Sequence, residues 1–203
     1  MPEKAVKIYQ ADISGPYRQP HPDSNVEPHN RVDFQTHELL NRAFSGPGLA
    51  PTFSRFRRIL LTSLETSSVE VDWLDSPDLL AFIREHLGRA VLESLFGPTI
   101  LSTNPTFMEN LWMFDEEIPG LAKRLPKFLV PRAYKARTRL LCQIKAWYKF
   151  ARENFEESKL DADGDGDPFW GSNLMRDRQK TLLSCDNQDD DAIAATDLGL
   201  IWA

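Results

Sequence analysis

Between Asp75 and Pro98 the sequence DSPDLLAFIREHLGRAVLESLFGP carries a full set of helix instructions. Asp75 or Ser76 suits the cap, Pro77 the first helical position, and Gly97-Pro98 stops the run. Leu79, Phe82, Ile83, Leu87, Val91, Leu92 and Leu95 form a stripe at three- and four-residue spacing. A stripe of that kind must be covered by another element, so a chain made mostly of such segments folds as helix on helix.

The rest of the chain repeats the pattern. Val32, Phe34, Leu39, Leu40 and Phe44 predict a short helix over 31–44, ended by GPG at 46–48. Phe53, Phe56, Ile59, Leu60 and Leu64 predict a second over 52–64, with Arg55, Arg57 and Arg58 toward the opposite side. Phe107, Leu111, Trp112, Phe114 and Ile118 predict one from 105 to about 118, broken at Pro119-Gly120. LPKFLVP at 125–131 reads as an apolar loop between prolines, and a long basic helix follows over 133–155. Two more helices are predicted near 172–184 and from Asp189 onward, where Asp189–Asp191 meet the positive end of the helix dipole. VEVDWL, Val69–Leu74, alternates briefly and reads as the approach to a helix. Pro2, Pro16, Pro20, Pro22 and Pro28 make residues 1–30 loop-rich. The expectation is therefore all-α, one domain over 1–203 that is loop-rich over 1–30 and helical over 31–203, with no sheet and no internal repeat. The chain stops inside the apolar run LGLIWA, so it reads as a fragment.

Function classes are narrowed mostly by exclusion. A net charge of −6 gives no basic stripe for a phosphate backbone, so no nucleic-acid partner is expected. No apolar run approaches the roughly 18 residues that span a bilayer, and PEKAVKIYQ after Met1 is not a signal peptide. Cys142 and Cys185 lie in no Cys-x-x-Cys or Cys/His cluster and read as reduced core thiols. His21, His29, His37 and His86 never pair as His-x-x-x-His, which leaves no helical metal site; His86 reads as a boundary residue and His37 as a lone histidine on a short helix. No Gly-x-Ser-x-Gly elbow or phosphate-binding loop is present.

DADGDGDP at 161–168 is the one chemically loaded motif. Asp161, Asp163, Asp165 and Gly166 satisfy the opening of a calcium loop, but the twelfth position, which needs a bidentate Glu, is Ser172, and the eighth is Pro168. The two readings are a calcium loop and an acidic connector between helices, and the broken match favours the connector.

The order of the segments adds a resemblance. VEPHNRVDFQTHELLNRAFSGPGLAPTF, FMENLWMFDEEIPGLAKRLPKFL, PRAYKARTRLLCQIKAWY, DADGDGDPFWGS and DAIAATDLGLIWA together resemble the middle of a cytochrome P450, most of all the fungal branch that includes sterol 7α-hydroxylases and prostacyclin synthase. The resemblance implies a fragment of the P450 fold from helix B′ to the start of helix I. Residues 31–44 would lie over the haem edge, 52–64 would be helix C, 76–96 helix D into E, 105–124 helix F, LPKFLVP the F–G loop, 133–155 helix G and 161–171 the G–H connector. It implies haem in the full-length protein only, because the cysteine loop and the Glu-x-x-Arg pair that go with it are absent here. No residue of this chain is expected to be catalytic or to ligate a metal. The substrate pocket would draw on Phe34, His37, Leu40, Phe107, Leu111, Phe114, Ile201, Trp202 and Ala203, and His37 or Arg55 would contact the cofactor. Many P450s hold haem propionates with a Trp and an Arg on helix C; FSRFRRILL has no Trp, so Arg55, Arg57 and Arg58 stand as alternatives to plain solvated arginines. The full-length protein would be a haem-thiolate monooxygenase on a lipophilic, sterol-like substrate, an activity some relatives replace by isomerisation or dehydration. NADPH–P450 reductase would be its partner and the endoplasmic reticulum membrane its location, with LPKFLVP touching the membrane surface. The chain alone would be inactive. The alternative is a non-enzymatic helical interaction module complete at 203 residues.

Overall fold

A computed structural model describes residues 3–66, 78–123 and 125–202. Within them the chain is all-α, as the sequence predicts, with no strand and one isolated bridge between Asp167 and Gly171. The helices are α1 (Glu3–Ala11), α2 (Val32–Phe44), α3 (Leu49–Thr66), α4 (Leu79–Ile83), α5 (Arg89–Phe96), α6 (Thr99–Ser102), α7 (Phe107–Ala122), α8 (Pro131–Asn154), α9 (Asn173–Leu183) and α10 (Asp190–Trp202).

The core forms around α8, whose Leu140, Ile144, Trp147 and Tyr148 are fully buried. Phe107, Leu111 and Phe114 of α7 cover one side, Ile193, Ala194 and Leu198 of α10 another, and Met175 and Leu182 of α9 complete it. The acidic connector adds Trp170, which meets Trp147 edge-on at 5.4 Å, while the Trp147 indole N–H donates to Phe169 O at 2.8 Å. Gly97 (φ 76°) and Gly171 (φ 82°) face each other where α5 ends on this connector, and a side chain at either would strike the other's backbone.

Several expectations are corrected. Residues 1–30 contain α1, because EKAVKIYQA has neither Pro nor Gly and the proline density begins only at Pro16. Asp78 caps α4, accepting from Ala81 N at 2.9 Å; Asp75, Ser76, Pro77 and the segment Val69–Leu74 lie outside the described residues. α4 joins α5 through a π turn, Arg84–Gly88, where Trp112 packs so close that a Cβ on Gly88 would sit 2.8 Å from its ring. α7 runs through Pro119-Gly120, since a proline in the last turns forfeits one amide bond while Lys123 N still reaches Pro119 O at 3.2 Å. α3 packs shallowly, so its polarity is partly reversed: Phe53 is 58% exposed and Arg55 is buried.

Candidate functional site

α4, the π turn and α5 turn Leu80, Ile83, Leu87 and Val91 toward a groove of about 610 Å³. Leu111 and Trp112 of α7 and Ile201 and Trp202 of α10 form its other walls. The rim is polar in one place. Asp115 accepts from the Trp202 indole at 3.0 Å and pairs with Arg84 at 3.5 Å, and Arg84 also lies 4.9 Å from the Trp112 ring centre. Three of the expected pocket residues, Leu111, Ile201 and Trp202, thus converge. The others do not join them. Phe107 and Phe114 are buried against α8, Phe34 lies 4.5 Å beneath the Arg31 guanidinium, and Leu40 is half-buried on α2. His37 is exposed and contacts Asp33, 2.9 Å from its carbonyl and 3.0 Å from its carboxylate. Ala203 lies outside the described residues.

The arginines of α3 separate sharply. Arg55, read from the sequence as a solvated or cofactor-facing cation, is 7% exposed and bonded to Ser94 O at 3.1 Å, Thr52 Oγ1 at 3.3 Å and the Asp165 carboxylate at 2.6 Å. Arg57 and Arg58 are exposed and have no ion-pair partner among the described residues. With Phe53, Ser54, Leu61 and Thr62 they line a shallow hollow of about 400 Å³ on the outer face of the helix.

The acidic loop is occupied by guanidinium groups. Asp165 holds Arg55, and Asp167 holds Arg176, which also donates to Asp165 O at 2.9 Å. Asp163 turns inward to accept from Asp165 N at 2.9 Å, while Asp161 N closes the loop on Gly166 O at 2.8 Å. Among the described residues no group of three or more His, Cys, Asp and Glu could hold a metal ion.

Three polar residues escaped sequence reading. Asp197 and Tyr148 are fully buried, Arg178 nearly so; Arg178 pairs with Asp197, and the Tyr148 hydroxyl donates to Asp197 at 2.6 Å. Burial, then the Asp197 charge, pushes the Tyr148 phenol well above its ordinary range. Asp197 sits between apolar residues on a helix with no amphipathic stripe, and no local pattern names its partners 19 and 49 positions away. His86, expected at the surface or a boundary, is buried, with Nδ1 2.7 Å from Ser63 Oγ and the Phe82 ring tilted at 55° to it with centres 4.5 Å apart.

Comparison with known proteins places this arrangement. The chain is 32% identical over 175 residues to cytochrome P450 monooxygenase fsoE of Humicola fuscoatra, a match covering 85% of this chain and 30% of that protein. It is 27% identical to cytochrome P450 monooxygenase efuG of Hormonema carpetanum over 85% of this chain and 31% of the relative. Cytochrome P450 monooxygenase calL of Penicillium decumbens is 25% identical over 86% and 33%. The chain therefore spans about a third of the length of the curated relatives it matches. No family model and no solved structure matches it.

The family implies haem, and the residues present fit only part of that group. Neither cysteine suits the thiolate ligand. Cys142 is exposed on α8, against the expectation of a buried thiol, and has no shielding loop around it. Cys185 is buried, its thiol directed at Gln35 Oε1 at 3.3 Å, and its pKa is pushed up to about 11 by burial first, then by Asp186 and Asp12. On the outer face of α3, Arg57 and Arg58, which have no ion-pair partner among the described residues, lie beside Phe53 and Leu61 and have the charge that a haem's carboxylates would need.

Proposed function

From this chain's place in the cytochrome P450 family we propose that the protein to which it belongs is a haem-thiolate monooxygenase acting on a lipophilic, sterol-like substrate. The observation that carries the reading is 32% identity to a named P450 monooxygenase sustained along 85% of the chain. Haem, when bound through a thiolate, supplies the oxygen chemistry. This chain supplies apolar wall. The groove where Leu111, Ile201 and Trp202 meet has the size and lining of a small-molecule pocket, and it is the part of the chain that would meet such a substrate. Electrons would come from NADPH–P450 reductase. The protein would sit on the endoplasmic reticulum membrane, with Phe128 (80% exposed) and Leu129 (59% exposed) of the LPKFLVP segment, 125–131, entering the lipid interface. The 203-residue chain alone would hold no thiolate-ligated haem, since Cys185 is a protonated, buried thiol and Cys142 faces solvent.

The test is a carbon monoxide difference spectrum of the reduced full-length protein, followed by titration with sterols and other lipophilic compounds. A thiolate-type Soret band that shifts on titration, and shifts less in Leu111→Asp, supports the reading. A full-length protein without that band overturns it. A second reading is favoured by one observation: Leu80, Ile83, Leu87 and Val91 are 40–57% exposed in a single stripe, as at a seam for a partner helix. If the groove is such a seam, Leu87→Asp disrupts assembly or folding and leaves ligand titration no substrate-dependent change to lose.

A further inference from the structure

We infer that the N-terminal half of α8 and the turn before it form a face selective for anionic lipid, in which Lys123, Lys127, Lys135, Arg137 and Arg139 meet negative headgroups around an apolar tip, Phe128 and Leu129. The inference rests on the membrane placement proposed above and goes beyond its apolar contact, since it names the lipid class that the surface prefers.

Charge is spread unevenly along this chain. Ten of its 24 Lys and Arg fall between Lys123 and Arg152, where none of its 30 Asp and Glu do, so the net charge of −6 conceals a strongly basic segment. The fold divides that segment in two. In the C-terminal half of α8, Lys145 meets Asp191 at 2.5 Å, Arg152 meets Asp190 at 2.5 Å and Lys149 reaches Glu153 at 4.0 Å. In the other half Arg132 lies 3.6 Å from Glu117 with its side chain 76% exposed, and Lys123, Lys127, Lys135, Arg137 and Arg139 have no ion-pair partner among the described residues. Five cations left unpaired in one region repel one another, and an anionic surface from outside relieves that repulsion.

Geometry says what kind of surface. Arg132, Lys135 and Arg139 follow at i, i+3 and i+7, so they run along one side of α8 for about 10 Å. Phe128 and Leu129, 80% and 59% exposed, stand at the turn that precedes the helix, where Leu129 N closes on Pro126 O at 2.9 Å. That turn is tied down, because the Tyr134 hydroxyl donates to Leu125 O at 3.2 Å and Val130 packs on Gly120. Two large apolar side chains held beside unpaired cations match a surface that offers acyl chains and anionic headgroups together. A single apolar insertion holds a protein at a membrane only marginally, and a basic patch supplies the second signal that stable attachment takes. An acidic protein answers the charges alone and is the competing occupant.

The full-length protein is placed on vesicles of phosphatidylcholine alone or of phosphatidylcholine with phosphatidylserine, and acylation of each lysine by a neutral amine reagent is followed by mass spectrometry of its peptides. Lys123, Lys127 and Lys135 are expected to react at least about fivefold more slowly on the anionic vesicles, the factor that corresponds to one cation's attraction to such a surface. Lys149, about 21 Å further along α8 than Lys135 and beyond a Debye length from it, keeps its rate, and about 0.5 M NaCl abolishes the difference. Lys135→Gln with Arg139→Gln should lose most of the protection at Lys123 and Lys127 and keep the wild-type unfolding midpoint, since both side chains are already exposed. Equal labelling of these lysines on both kinds of vesicle overturns the inference, and rates that also equal those of the free protein overturn the membrane contact with it. Protection by soluble polyglutamate but by neither vesicle assigns the face to an acidic protein and overturns it likewise. Protein without a thiolate-type carbon monoxide band overturns the family-based function instead, a result that the labelling pattern does not depend on.

Discussion

Replacing Asp197 with Asn tests whether the buried Arg178–Asp197–Tyr148 cluster holds α8, α9 and α10 in register. Asp197 has no solvent exposure and the Arg178 side chain only 4%, so the substitution strands a guanidinium in the core. Breaking a buried pair in this way costs about 3–5 kcal/mol, a large part of the roughly 5–15 kcal/mol that holds a domain together. Tyr148→Phe removes one charge-assisted hydrogen bond and costs less, about 1.5–3 kcal/mol. The double variant Arg178→Met/Asp197→Leu removes both charges and their desolvation, so it should be more stable than Arg178→Met or Asp197→Leu alone, with a coupling of up to about 3 kcal/mol in that double-mutant cycle. Urea denaturation followed by far-UV circular dichroism measures each variant against the wild type. Asp197→Asn within about 0.5 kcal/mol of wild type, or additive single effects, would refute the reasoning.

Cys142 should react with a maleimide at once in the native protein and Cys185 only on unfolding, as peptide mapping of the labelled protein will show. Because burial raises the Cys185 pKa from 9.0 to about 11, folding favours the protonated thiol; that contribution is complete below about pH 9 and lost as pH rises through 11, so the alkaline decline in unfolding midpoint should be shallower in Cys185→Ala. Gly171→Ala places a Cβ against the Gly97 amide at φ 82° and should cost about 1–3 kcal/mol by thermal unfolding, whereas Gly164→Ala, with nothing within 4 Å, should cost only its backbone strain. Phe128→Ser with Leu129→Ser should reduce vesicle binding about tenfold without lowering the unfolding midpoint, since both side chains are already in water.

What the sequence displayed well were features decided within one turn or one wheel. The stripes of α2, α7 and α8 and the stop at Gly97 are visible because period and punctuation are local. It misled where a tertiary contact outweighed local chemistry. Pro119 reads as a break, yet α7 passes through it while Val130 returns to pack on Gly120, where a Cβ would lie 3.0 Å away. α1 was hidden among prolines, yet between Pro2 and Pro16 the chain has none, and the helix fits inside that gap. His86 and Cys142 exchanged places, the polar residue buried and the apolar thiol exposed, because each position on a helix wheel faces whatever neighbour the fold brings, and the wheel does not say which.

The acidic loop and α3 show the same limit from two sides of one contact. Alternating aspartates in DADGDGDP leave a calcium loop and an acidic connector as the two readings, and in the fold the aspartates are neutralised by side chains. Whether the cation is Ca²⁺ or a side chain depends on what the fold carries to within 3 Å, and here Arg55 arrives from 110 residues earlier and Arg176 from the following helix. Once Arg55 is spent on the loop, the positive charge left on α3 is Arg57 and Arg58, on the face opposite the one that packs. A Glu at position 172 in place of Ser would have strengthened the calcium reading without altering that arithmetic, because the two guanidiniums would still neutralise the carboxylates a divalent ion needs. The occupant of one motif thus explains the burial of the other: the loop that looks like a metal site is what draws Arg55 into the fold while Arg57 and Arg58 stay exposed.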